Sequence, residues 1–196
     1  KPDSIKKAEI TKKHKLQANE KVFIFFGVLS YEPNLEAIDI IINEIAPLLK
    51  QRAEFPYRIF ICGGGLPKSY AKLQHYQHLN IEYLGFVREI EDYISASDVM
   101  LNPMLSGGGV KTKVLESLAQ NKTVISTKQG ALGLVLEACG DKICVVEDSD
   151  WETFAKKATL LAQQNELQTP TSFYETYFWD NIAKNSLKKI NQIIAD

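Results

Sequence analysis

The sequence predicts an α/β protein built on a doubly wound parallel sheet and closed by a C-terminal helix. Three observations carry that prediction. From about residue 22 to residue 194, short β-rich apolar runs alternate with longer segments of helical period, the pattern of parallel strands joined by right-handed helical crossovers. Glycine or an Asn-Pro pair closes most of the apolar runs, where a strand must turn into a helix. A last apolar stripe, beginning at Trp179, is followed by no strand.

Val22-Phe23-Ile24-Phe25-Phe26 is apolar at every position, as expected of a strand covered on both faces, and Gly27 ends it. Leu35, Ile38, Ile41, Ile42, Ile45 and Leu49 recur at steps of three and four, giving an amphipathic helix that begins near Pro33-Asn34. A second strand over residues 57–62 stops at Gly63-Gly64-Gly65, and a helix follows to about Gln77. The third strand, 81–84, ends in Gly85-Phe86. Residues 90–94 make one or two helical turns, and 98–101 form a strand ended by Asn102-Pro103. Gly107-Gly108-Gly109 leads into a helix with Val110, Val114, Leu115 and Leu118 on its inner face. Strands over 123–126 and 142–146 follow, then a helix from Asp150 to about Gln164. Trp179, Ile182, Ala183, Leu187, Ile190 and Ile194 line one side of the closing helix, whose partner is either this domain or a missing one. No internal repeat or low-complexity stretch interrupts this order. Residues 1–20 stand apart as a polar lead-in, part linker and part helix, before a single domain over 21–196.

With 196 residues and 45% hydrophobic content the chain can bury one sizeable core. Its 23 basic and 24 acidic side chains nearly cancel, so no global field recruits nucleic acid or an anionic membrane, and a ligand must be recognised locally. Cys62, Cys139 and Cys144 are odd in number and not in metal-binding spacing, which reads as reduced core thiols in a cytoplasmic protein. His14, His75 and His78 are scattered; the last two, three apart on a helix, read as a solvated face rather than a metal site. No apolar run approaches the roughly 20 residues of a membrane helix, and no signal-peptide pattern opens the chain. The first residue is Lys1 in a Lys-rich stretch, as if a longer chain were cut at a linker.

In a doubly wound sheet, ligands bind beyond the carboxyl ends of the strands, and most of the glycine turns fall there. No GxGxxG follows the first strand and no GxxxxGK[ST] occurs, so the dinucleotide and P-loop readings lose most of their weight. Gly63, Gly64 and Gly65 serve either a ligand or a plain helix-entry turn. Gly107, Gly108 and Gly109 are followed by Lys111, Lys113 and Glu116 at the start of a helix. Two cations beside glycine amides at a positive helix end make an anion site, and Glu116 could accept from vicinal hydroxyls, which together suit a ribose diphosphate. The plainer reading is a surface helix with a Lys113–Glu116 pair.

At this point the residues resemble a family. Phe26-Gly27, Glu32-Pro33-Asn34-Leu35-Glu36-Ala37, YLGFVREIEDYISASDVMLNP (83–103) and above all SGGGVKTKVLESLAQNKTVISTKQGALGL (106–134) resemble the donor domain of family 4 retaining glycosyltransferases of the GT-B fold. The likeness runs from about residue 22 to the C-terminus. It implies a UDP- or GDP-sugar donor, no cofactor, no protein-bound metal and no catalytic residue in this domain. Glu116 corresponds to the second glutamate of the family's E-x7-E motif, which takes the ribose hydroxyls. Gly27 and the loop after it would face the phosphates, Lys113 would contact the diphosphate, and Gly85, Phe86 and Val87 would line the base pocket. The first glutamate of the motif falls at Gly108, so recognition of the donor sugar must come from the amides of Gly107, Gly108 and Gly109 or from another residue.

The resemblance further implies that the acceptor is held by an N-terminal domain missing from this chain, onto which the closing helix would pack. Without that domain the fragment would be inactive, and any peripheral membrane association would belong to the full enzyme. The alternative is a non-catalytic nucleotide-binding or assembly domain of the same fold.

Overall fold

In a computed structural model of the chain the described residues are 2–165 and 167–195, with the side chains of 2–5, 185, 188, 189, 191, 194 and 195 outside the description. Lys1 and the side chain of Ile194, both named above, therefore lie outside it. The order is α1 (Pro2–Lys13), β1 (Lys21–Phe26), α2 (Glu32–Ile40), α3 (Ala46–Arg52), β2 (Tyr57–Cys62), β3 (Ile81–Gly85), α4 (Ile90–Ala96), β4 (Val99–Asn102), α5 (Thr112–Ala119), β5 (Thr123–Thr127), α6 (Leu136–Cys139), β6 (Ile143–Val146), α7 (Trp151–Gln163), α8 (Thr171–Tyr177) and α9 (Trp179–Ala195). Among the described residues the strands form one parallel sheet, ordered β3-β2-β1-β4-β5-β6.

Strand β1 shows why its sequence lacks alternation. Phe23 and Phe25 enter a core shared with α2, α3 and α7, whereas Val22, Ile24 and Phe26 enter a second core with α4, α5 and α8. Side chains of a strand alternate between faces, so a strand covered on both must be apolar throughout. The connections from β1 to β3 run over the first face, and those from β3 to β6 run over the second. The winding reverses between β1 and β4, which pair through Phe23 with Val99 and Ile24 with Met100.

Three helical expectations are modified. The amphipathic helix of residues 32–52 is one helix with a π-turn at Ile41–Ile45, where the Ala46 N–H donates to the Ile41 carbonyl. Pro47 has no N–H to continue an α ladder, and the wider turn just before it makes room for its ring. The expected helix after residues 63–65 is instead Lys68–Leu79, tight turns broken where Ala71, Lys72 and Leu73 adopt left-handed backbone. Leu73 is buried in the first core at that break, so tertiary packing overrides local propensity. The Val110 side chain is exposed ahead of α5 rather than on its inner face.

Helix α1 packs on α4, with Ile10 in the second core and His14 Nδ1 2.8 Å from Glu82 Oε1. At the other terminus α9 leaves Trp179 (80%), Leu187 (60%) and Ile193 (76%) exposed. No helix among the described residues is long and apolar enough to cross a membrane.

Candidate functional site

Where the winding reverses, the loops leaving β1 and β4 depart to opposite faces and open a crevice. A cavity of about 420 Å3 fills it, lined from the β1 side by Gly27, Val28, Tyr31 and Asn34 and from the β4 side by Met104, Gly107, Gly108, Lys111, Lys113 and Glu116. A second cavity of about 540 Å3 adjoins it through Phe26, Gly27 and Val28, and reaches Gly63, Gly64, Gly65, Phe86, Val87 and Arg88. The two form one cleft across the carboxyl ends of β1 to β4.

The backbone builds this cleft by carrying the sheet's bonding past the strand ends. Gly27 N–H donates to the Cys62 carbonyl (3.1 Å), Leu29 N–H to Gly64 (2.8 Å) and Gly63 N–H to Gly85 (2.7 Å). The turns stack so closely that a Cβ on Gly63 would lie 1.9 Å from the Gly27 oxygen, which admits only glycine. Tyr83 Oη donates to the Gly63 carbonyl at 3.0 Å and fastens the stack from below.

The β4 side is held by contacts to β5, to α2 and within its own loop. Thr127 Oγ1 donates to the Met104 carbonyl (2.5 Å), Ser106 Oγ to Glu36 Oε2 (2.5 Å) and Lys111 Nζ to the Gly107 carbonyl (2.6 Å). Gly108 and Gly109 are uncrowded: a Cβ on either would meet nothing within 4 Å, so the cleft is open above Gly108, which lines it.

Lys113 occupies the floor. Its Nζ donates to Asn34 Oδ1 (2.5 Å), lies 4.5 Å from the centroid of the Phe25 ring and 3.9 Å from Met104 Sδ, and would sit 3.2 Å from a Cβ on Gly27. Burial pushes its amine from 10.5 down to about 8, Lys111 adds repulsion, and Glu116 opposes both. Burial likewise lowers the Lys111 amine, whose residue is only 7% exposed. The Glu116 carboxyl is raised by burial and by Glu91, against a lowering by Lys113. Among the described residues neither lysine has a carboxylate in ion-pair contact. Two under-compensated cations and one carboxylate therefore face a cleft with glycine amides.

The structure brings Gly27, Gly107, Gly108, Lys113 and Glu116 together in one cavity, and Phe86 and Val87 into the adjoining one, where the Phe86 ring is 80% exposed. Gly85 and Gly109 line neither: Gly85 supports Gly63 through its carbonyl, and Gly109 lies beside the lining residue Val110. Sequence reasoning passed over Asn34, Tyr31 and Arg88. Asn34 carried a signal in retrospect, as a polar residue in the first turn of an apolar helix, and it is 5% exposed. Among the described residues no cluster of three or more His, Cys, Asp or Glu side chains is placed to hold a metal ion. A cavity of about 560 Å3 at the opposite end of the sheet, by Glu20, Arg58 and Glu82, is walled by charges already paired to each other.

The family model of the glycosyl transferases group 1 matches residues 20–164. No curated protein sequence matches the chain. Among solved structures, a glycosyltransferase from Rickettsia africae ESF-5 is similar with a TM-score of 0.70 and 14% identity, over 96% of this chain and 52% of its own. The C-terminal domain of the glycosyl transferase group 1 family protein LpcC from Francisella tularensis gives 0.61 and 19%, over 87% and 91%. HepE from Anabaena, in complex with UDP and glucose, gives 0.63 and 18%, over 97% and 50%. The chain spans about half the length of the Rickettsia and Anabaena proteins. At these identities the likeness is one of fold: the parallel sheet with flanking helices is that of the Rossmann-like domains of GT-B proteins.

Proposed function

The chain belongs to the group 1 glycosyl transferases, and from that premise we propose that it is the donor-binding domain of a retaining glycosyltransferase, taking a UDP- or GDP-sugar in the cleft between β1 and β4. One observation carries the reading: Lys111 and Lys113 share that cleft without a carboxylate in contact among the described residues. Charge withdrawn from water is unfavourable until it is paired, and a diphosphate supplies two or more negative charges at the required place. Glu116 would accept from the ribose hydroxyls, and the exposed Phe86 ring offers a face on which a base can stack. As the sugar leaves, charge growing on the terminal phosphate would be met by Lys113 and by the amides of the glycine loop, a form of electrostatic stabilisation without a protein-bound metal.

HepE has been seen with UDP-glucose and TarM of Staphylococcus aureus with UDP, which makes UDP the first nucleotide to try. A second domain would supply the acceptor and the remaining reacting groups, leaving this part inactive alone. The exposed Trp179, Leu187 and Ile193 of α9 support such a partner. Free Cys62, Cys139 and Cys144 are consistent with a cytoplasmic setting.

Thermal denaturation with UDP, GDP, ADP and their sugars tests the reading. UDP or GDP at a hundred times its Kd should stabilise the domain by about 2.7 kcal/mol. Silence across all nucleotides would falsify it and favour an assembly domain that retains the fold.

A further inference from the structure

Asn34 links the two sides of the cleft through both ends of its amide. Its residue is 5% exposed, its Nδ2 donates to the Val28 carbonyl at 2.8 Å, and its Oδ1 accepts from Lys113 Nζ at 2.5 Å. The orientation of the amide follows from its partners, since a carbonyl can only accept and an ammonium can only donate. One side chain thus ties the β1 loop to α5, across 79 residues of sequence.

We propose that Asn34 is a positioning residue that fixes where Lys113 stands and leaves its charge uncancelled for an anionic ligand; that the ligand is a nucleoside diphosphate rests on the function proposed above. The groups around the ammonium bear this out element by element. From β1 it meets the Phe25 ring, from the β4 loop the Met104 sulfur, and from α2 the Asn34 amide, none of them charged. The charged groups acting on it are Lys111, which repels it, and Glu116, which attracts it. A neutral amide oxygen holds the ammonium in place while cancelling little of its charge. A carboxylate at the same position would hold it equally well and neutralise it, so the choice of Asn over Asp matters to function and not to shape.

This separates positioning from mere packing in a measurable way. Lysine side chains labelled at Cε report their own titration by NMR in the ligand-free domain, with Lys113→Met identifying the signal. Asn34→Asp should move the Lys113 titration to higher pH, because a carboxylate stabilises the ammonium. Asn34→Leu should move it lower, because the one oxygen that accepts from the ammonium is gone. Calorimetry with UDP then reads the consequence, from pH 7.5 upward where the terminal phosphate, with its second ionisation at about 6, is already fully charged. A ligand that needs the protonated amine loses about tenfold in affinity per pH unit above its pKa. The wild-type fall should therefore begin near 8, where the Lys113 amine titrates. In Asn34→Asp the fall should begin at higher pH, with affinity at pH 7.5 about tenfold weaker because the diphosphate competes with the new carboxylate.

A Lys113 titration that stays put in both Asn34 variants, each with a cooperative melt, overturns the inference whether or not any nucleotide binds. A titration that moves as described while UDP and GDP fail to bind upholds Asn34 as the residue that sets Lys113 and refutes the nucleotide reading instead. An Asn34→Asp variant that binds UDP as tightly as wild type at pH 7.5 refutes the assigned preference for amide over carboxylate.

Discussion

At the amino-terminal end of the sheet Arg58 sits between two carboxylates, Glu20 at 2.9 Å and Glu82 at 3.0 Å, whereas at the carboxyl end Lys113 sits among an amide, an aromatic ring and a thioether. The first end continues in the same way. His14 stands 2.8 Å from Glu82, and Asp98 accepts from the Val22 N–H while lying 3.7 and 3.6 Å from Lys7 and Lys21. The charged groups at that end answer one another. At the other end Lys111 and Lys113 bond only to carbonyls and an amide oxygen, with Glu116 attracting Lys113 without contact, so full compensation has to come from outside. Charge alone therefore does not mark the site; charge left without a counter-charge does.

Breaking the paired end should affect stability and leave binding alone. Arg58→Ala leaves Glu20, whose side chain is 4% exposed, with the Gln17 N–H but no counter-ion, and loosens Glu82, which is 34% exposed and keeps His14. Removing the counter-ion of the buried carboxylate and discounting the exposed one gives a loss of about 3 kcal/mol, read as a lower denaturant midpoint at constant slope. Affinity for UDP should not change. An equal loss of affinity would show that the two ends are coupled and that the contrast between them is wrong.

The unpaired end should behave the opposite way. Lys113→Met removes a charge-assisted contact to the diphosphate and should weaken UDP binding by about 2 kcal/mol, close to thirtyfold. Stability at pH 7.5 should not fall, since methionine suits neighbours such as Phe25 and Met104. The pH dependence has a definite sign. The folded-state amine is lowered from 10.5 to about 8, so across that window the unfolded chain binds more protons than the folded one. Wild-type stability should therefore rise between pH 8 and 10.5, and the variant should lack that rise. A parallel rise in the variant would assign the effect to other groups.

How far each end was legible in the sequence follows from the range of the contacts that make it. Strand β1 could be read because its covering on both faces leaves a local trace, five apolar residues in a row closed by glycine. The glycine turns could be read because their places depend on strand ends alone. The break at Ala71, Lys72 and Leu73 left no such trace, since none of the three favours left-handed backbone and the anchor is the burial of Leu73. Lys113 was legible as a cation beside glycines, but not as a buried one, because Asn34 and Phe25 come from elements far off in sequence. The pairing of Arg58 with Glu20 and Glu82 spans 38 and 24 residues, and no spacing rule announces it.

Glu116 tests the contrast from the anionic side of the cleft. Glu116→Gln keeps the shape and removes the charge, so nucleotide binding should weaken by about 1–2 kcal/mol with little change in melting. Burial and Glu91 raise this carboxyl above its ordinary 4.5, and the ribose would accept only the ionised form as a strong partner. Wild-type affinity should accordingly fall on acidification through that raised value more steeply than that of the glutamine variant, in which only protonation of the phosphate, with its second ionisation at about 6, contributes. Identical acid limbs in the two proteins would remove Glu116 from the binding site.

The smallest effect is expected at Gly108, where the family pattern has a glutamate and this chain has open space. Gly107 and Gly109 adopt positive φ, +90° and +69°, while Gly108 is not among the residues that do, and a Cβ there meets nothing within 4 Å. Neither backbone strain nor crowding then opposes Gly108→Glu, and stability should stay within about 0.5 kcal/mol of wild type, as for other surface substitutions. The carboxylate would stand near the diphosphate, so UDP itself should bind slightly less well. A hexose attached to that UDP would instead gain a charged acceptor for its hydroxyls. The quantity to measure is therefore the ratio of UDP-glucose to UDP affinity, which should rise by about 1 kcal/mol over wild type. If the ratio stays fixed while UDP binding weakens, the space above Gly108 faces the phosphates and not the sugar, and the end of the cleft that reads the donor must lie elsewhere.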